Sequence, residues 1–169
     1  HYKNADPKLP SSRITALTVD EEYLWCATSK GLGRYDKKKG HWKIFRAPDW
    51  GYGGPHEGAK RYWKGLISNI INSLAIGENY LWVGTKYGVS RYDFEADQWE
   101  NYFSNNGLPD EEIRDLTISG YDVWAATANG VSQYNRLSDD ENAWRTYTSM
   151  SEIKSSDESK EYVESLVHN

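Results

Sequence analysis

The chain has 169 residues, 38% of them hydrophobic, with 8 Trp, 13 Tyr and 3 Phe and a formal net charge of −5. No run of about 18 apolar residues occurs, which excludes a membrane-spanning helix, and the single cysteine, Cys26, excludes an internal disulfide framework or a cysteine-cluster zinc site. The acidic balance argues against a general nucleic-acid binder, and no charged start followed by an apolar stretch marks a signal peptide in this chain.

Residues 1–13 read as the end of a preceding unit and its link, with Tyr2 on an outer strand and Leu9-Pro10 ahead of Ile14. Residues 14–47 form the first complete unit. It has an alternating strand from Ile14 to Val19 and a strand from Tyr23 to Thr28 that holds Leu24-Trp25. A Thr28-Ser29-Lys30-Gly31 turn follows, then a strand from Leu32 to Asp36 and a last one from Trp42 to Phe45. Residues 48–70 are an insert rich in aromatic and basic residues. Residues 71–109 repeat the unit, with Ile71, Trp82, Gly88, Tyr92, Trp99 and Tyr102 in the same register. Residues 110–149 repeat it again, with Ile113, Trp124, Gly130, Tyr134, Trp144 and Tyr147. Residues 150–162 are an acidic linker in which a short helix around Ser156 to Tyr162 would fit. Residues 163–169 start a further unit, with Val163 and Leu166 spaced like Ile14 and Leu17.

Four short strands in a repeat of roughly 40–50 residues are the signature of a propeller blade. The expected fold is therefore all-β: a β-propeller segment of three complete four-stranded antiparallel blades flanked by partial blades. Two readings of the whole stand: a fragment of a longer ring, or a small closed ring in which Tyr2 and Val163–Leu166 share a fourth blade.

The string from Leu81 to Asp93 (LWVGTKYGVSRYD), with Asn106-Gly107-Leu108-Pro109, resembles the two-component regulator propeller repeat. The resemblance covers residues 10–147. Blade one departs from it at Cys26-Ala27, and blade three at Ala125-Ala126 and Asn135. It implies a periplasmic or extracellular sensor domain, often responding to glycans. Any membrane attachment would run through a segment outside this chain, and the remaining propeller blades or a partner domain would be its protein contacts.

Six tryptophans recur in register and are expected to pack between blades. Trp50 and Trp63 do not, and both fall in the long link between Phe45 and Ile71, beside Gly51, Gly53, Gly54, Pro55, Lys60 and Lys64. Long loops often carry function, and aromatic faces beside Lys and Arg suit a polyhydroxylated or anionic ligand. The candidate ligand contacts are Trp50, Tyr52, His56, Arg61, Tyr62 and Trp63, joined by Lys86 and Tyr87 from a Thr-x-x-Gly turn on the same face. Lys30 and Asn129 occupy matching turn positions. A loop that merely covers a neighbouring blade is the alternative. Asp36, Asp93 and Asn135 are expected to cap turns, and Cys26 to be a buried thiol. His1, His41, His56 and His168 share no metal spacing, and no catalytic motif occurs, so neither cofactor nor metal is expected. The leading expectation is non-catalytic ligand binding, with a small molecule or glycan as ligand. An interaction scaffold that self-associates through open blade faces is a second, and a lyase or hydrolase using His56 and Glu57 a third.

Overall fold

A computed structural model describes residues 9–51, 54–137 and 144–149, apart from the side chain of Arg61. The expectations for Tyr2, for residues 150–169 and for the flanking partial blades lie outside the described residues, as do Tyr52, His1 and His168.

Three four-stranded antiparallel sheets follow one another along the chain. The first holds β1 (Ile14–Val19), β2 (Tyr23–Thr28), β3 (Gly31–Asp36) and β4 (His41–Phe45). A six-residue helix, α1 (Glu57–Tyr62), lies in the insert. The second sheet holds β5 (Ile71–Ile76), β6 (Tyr80–Thr85), β7 (Gly88–Asp93) and β8 (Gln98–Tyr102). The third holds β9 (Asp115–Ser119), β10 (Asp122–Ala126), β11 (Val131–Asn135) and β12 (Trp144–Tyr147). Each sheet is an up-and-down meander in sequence order, and β1, β5 and β9 are the strands through which adjacent sheets meet. The first strand of the third sheet begins at Asp115, two residues after the repeat position Ile113. The Ile113 amide leaves the ladder to donate to the Thr85 carbonyl of the blade before it, at 2.9 Å.

The register tryptophans explain how so polar a chain builds a core. Trp25 and Trp82 are fully buried. Trp25 stacks on Phe45 of its own blade and meets Tyr92 and Phe94 of the next. Trp82 repeats this with Tyr102, Tyr134 and Trp144. Large rings thus fill the wedge between neighbouring sheets.

Each of these two wedges also holds an arginine. Arg34 lies over the rings of Tyr23 and Trp25, at 4.5 and 5.5 Å, and reaches the Tyr92 hydroxyl. Arg91 lies over Tyr80 and Trp82, donates to the Tyr134 hydroxyl at 3.1 Å and pairs with Glu100. Burial opposes the charge on Arg91, but the surrounding tyrosines and Glu100 outweigh it and hold the pKa above its ordinary value. Burial, together with the bond it donates to Asp97, pushes Tyr92 up to about 12. Gln133 takes the arginine's place in the third blade and accepts from the Tyr147 hydroxyl at 2.7 Å.

The Asx turns form as expected. Asp36 Oδ1 accepts from the amides of Lys38 and Lys39, and Asp93 Oδ1 from those of Glu95 and Ala96. Asn135 takes the Leu137 amide. Cys26 is buried, and desolvation raises its thiol pKa.

Candidate functional site

The Thr-x-x-Gly turns have one construction in all three blades. The threonine hydroxyl donates to the glycine carbonyl, at 2.8 Å for Thr28, 2.8 Å for Thr85 and 3.0 Å for Thr127. The same oxygen accepts the amide of the residue before the glycine: Lys30, Tyr87 or Asn129. The glycine closes the turn at φ +121°, +120° or +141°, a region costly for any side chain. The residue before it is thereby held at the tip with its side chain unneeded by the turn.

The insert is pinned at its base. Asn69 accepts from the Ala47 amide and donates to the Ala47 carbonyl, both at 2.9 Å, which clamps the two ends together. Its second half belongs to the fold: Leu66 and Ile67 are buried, and the Ile67 amide donates to Ser90 Oγ. Asn101 Nδ2 donates to the carbonyls of Trp63 and Gly65.

Both extra tryptophans take part in this anchoring. Trp50 Nε1 donates to the Ile67 carbonyl at 2.7 Å, and Trp63 Nε1 to the Leu66 carbonyl at 3.0 Å. Their rings meet edge to face at 5.8 Å. Each ring is half-buried and lines a different groove.

The groove on the Trp50 side has a volume of about 620 Å³. Its walls include Trp50, Tyr87, Lys30, Arg46 and Asp49. Gly54 lets the insert close on this wall, since a Cβ there would come within 2.5 Å of the Tyr87 ring. Lys86 Nζ lies 5.5 Å from the same ring. The groove on the Trp63 side, about 650 Å³, is lined by Tyr62, Trp63, Lys60, Lys64 and Asn105 among others. Tyr62 is 72% exposed there. Lys60 is already engaged, with Glu111 at 2.6 Å and Glu57 at 3.4 Å. Burial works against its charge, but the bond to Glu111 and the carboxylate charges raise its pKa.

The structure therefore divides the candidate residues expected to act together. Trp50 and Tyr87 share one groove, while Lys86 is not on its wall and approaches only the Tyr87 ring; Tyr62 and Trp63 share the other. His56 lines neither among the described residues: it caps α1, with Nδ1 accepting from the Ala59 amide at 3.1 Å. Sequence reasoning missed Arg46, which lies just beyond β4 and carries no repeat signal. It also missed α1, whose six residues are too few to display a helical period.

No protein-family model and no curated protein matches the sequence. Solved structures do. The chain superposes with a TM-score of 0.60 on the extracellular domain of the putative hybrid two component system BT4673 from B. thetaiotaomicron. That match has 16% identity over 83% of this chain and 16% of the other. PorZ, a bacterial surface component of the type-IX secretion system of Porphyromonas gingivalis, gives a TM-score of 0.52, with 16% identity over 87% of this chain and 17% of PorZ. The β-propeller domain of Cps50 (Swd1) from Myceliophteria thermophila gives 0.51, with 12% identity over 81% of this chain and 37% of that domain.

These are β-propeller blades.

The propeller chain spans about a sixth of the BT4673 and PorZ structures it matches. The BT4673 match accords with the sequence resemblance to two-component regulator propellers. No helix among the described residues is long and apolar enough to cross a membrane.

Proposed function

We propose that this propeller unit is a non-catalytic ligand-binding part of an extracytoplasmic sensor. Its ligand is a polyhydroxylated molecule, a glycan foremost, lying across the face that carries the Thr-x-x-Gly turns. The observation that carries this reading is the convergence of Trp50 from the insert and Tyr87 from the second turn in one open groove. Aromatic faces held apart on a fixed frame suit the apolar faces of sugar rings, and polar side chains between them set orientation. Occupation would shift the packing of the insert on blades one and two and pass to a partner domain outside this chain. The likeness to an extracellular two-component domain supports the compartment and the sensor role.

A hydrolytic role has less support. His56 Nδ1 is committed to the helix cap, and Glu57 is paired with Lys60. The scaffold reading is favoured by one observation. Leu17 and Val19 on β1 are 60% and 55% exposed, where their counterparts in the next two blades are covered by a neighbouring sheet.

A glycan array followed by calorimetry tests the ligand reading. Tyr87→Ala and Trp50→Ala, each checked for folding by circular dichroism, should weaken the strongest hit at least about tenfold, as expected for loss of a stacked ring worth roughly 1.4 kcal/mol. Unchanged affinity in both variants would remove the groove from consideration.

A further inference from the structure

We propose that the groove takes an anionic saccharide, whose carboxylate or sulfate groups pair with Lys30 and Arg46 while Trp50 and Tyr87 receive its ring faces. This rests on the ligand-binding reading above and assigns it a chemical class.

Many of the cations are engaged within the chain. Lys37 donates to the Asp20 carbonyl, Lys39 pairs with Asp36, Lys43 with Asp97 and Lys60 with Glu111. Arg34 and Arg91 are spent between blades, and Arg136 donates to the carbonyls of Gly120 and Tyr121. Lys30 and Arg46 have no such partner among the described residues, and both line this groove. They are also neighbours. Lys30 precedes Gly31, and a Cβ built on Gly31 would lie 3.2 Å from Arg46 Cγ.

Two cations on one wall, neither paired with a carboxylate among the described residues, leave that wall positive in a chain whose net charge is −5. The described wall offers one, Asp49, whose Oδ1 accepts the Gly51 amide at 3.0 Å. Lys86, whose Nζ lies 5.5 Å from the Tyr87 ring, is a third cation close to that wall. Lysine and arginine side chains only donate hydrogen bonds, whereas a neutral sugar presents hydroxyls that both donate and accept. An anionic sugar supplies acceptors alone at its charged group, and the arginine fork matches a carboxylate or sulfate in two bonds. The aromatic walls supply the part of the recognition that is independent of charge.

The test is calorimetric titration of the 169-residue chain with three oligosaccharides of equal length: an oligogalacturonide, a sulfated chondroitin fragment and a neutral cello-oligosaccharide. The expected result is binding of at least one anionic ligand about tenfold or more tighter than the neutral one. That binding should weaken as salt rises from about 50 to 500 mM, where screening lengths shorten. K30A/R46A should lose at least tenfold for the anionic ligand and leave the thermal midpoint unchanged. If the neutral sugar binds as tightly as the anionic ones, or if K30A/R46A leaves anionic binding intact, the anionic assignment is wrong while the ligand-binding reading stands. If none of the three binds, both fall.

Discussion

Trp25 and Trp82 occupy one register position but differ in a single hydrogen bond. In blade one the Trp25 indole reaches Asp20 Oδ2 at 3.4 Å, and Asp20 Oδ1 also takes the amides of Glu22 and Tyr23. In blade two the matching residue is Gly77, and Trp82 Nε1 is buried with no acceptor. An unpaired buried donor costs on the order of 1–3 kcal/mol. Gly77→Asp should therefore stabilise the protein by about 1 kcal/mol in denaturant unfolding. Room exists, because the nearest atom to a Cβ there is the flexible Arg136 guanidinium, at 3.1 Å. A lowered midpoint would mean that the aspartate turns away. At this scale the sequence was legible where residues recurred. Trp25, Trp82, Trp99 and Trp144 pack between blades as their spacing indicated, whereas Trp42 and Trp124 meet rings only of their own blades among the described residues. Arg34 and Arg91 recur too, but nothing in a sequence distinguishes an arginine laid over aromatic rings between blades from one in water.

The elements follow from local chemistry that a reader of the sequence can anticipate. Alternating apolar residues gave strands, and a threonine and a glycine at fixed spacing gave each turn. The insert did not yield in the same way. Its composition suggested a loop, yet its second half is built into the core through Leu66 and Ile67 and is held by Asn101. These contacts join residues 36 and 38 positions apart, so no local pattern announces them. Asn101→Ala removes two bonds to the insert and the partner of Ser90. The expected outcome is a loss of about 1–3 kcal/mol, with faster amide exchange over residues 63–67 and unchanged exchange in β2 and β3. Equal acceleration throughout would mean that the insert and the blades open as one unit.

For the whole molecule, the blade architecture was the most legible feature, because a repeat states the fold several times. Of the candidate site, the nearness of the insert to the second turn was legible, but its division between two grooves was not. Tyr62 and Trp63 belong to a different groove from Trp50 and Tyr87, a division that depends on how the insert folds back. At the same scale, β1 leaves Leu17 and Val19 uncovered. If that face docks another sheet, light scattering should show association of the wild-type chain, abolished by Leu17→Glu; a wild-type monomer would count against the scaffold reading. The indole signals of the tryptophans report on the groove directly by heteronuclear NMR. Titration with the saccharide that binds most tightly should shift the Trp50 indole, assigned by its absence in Trp50→Phe, and leave those of Trp25 and Trp82 in place. Saturable binding that leaves the Trp50 signal unmoved would contradict the account.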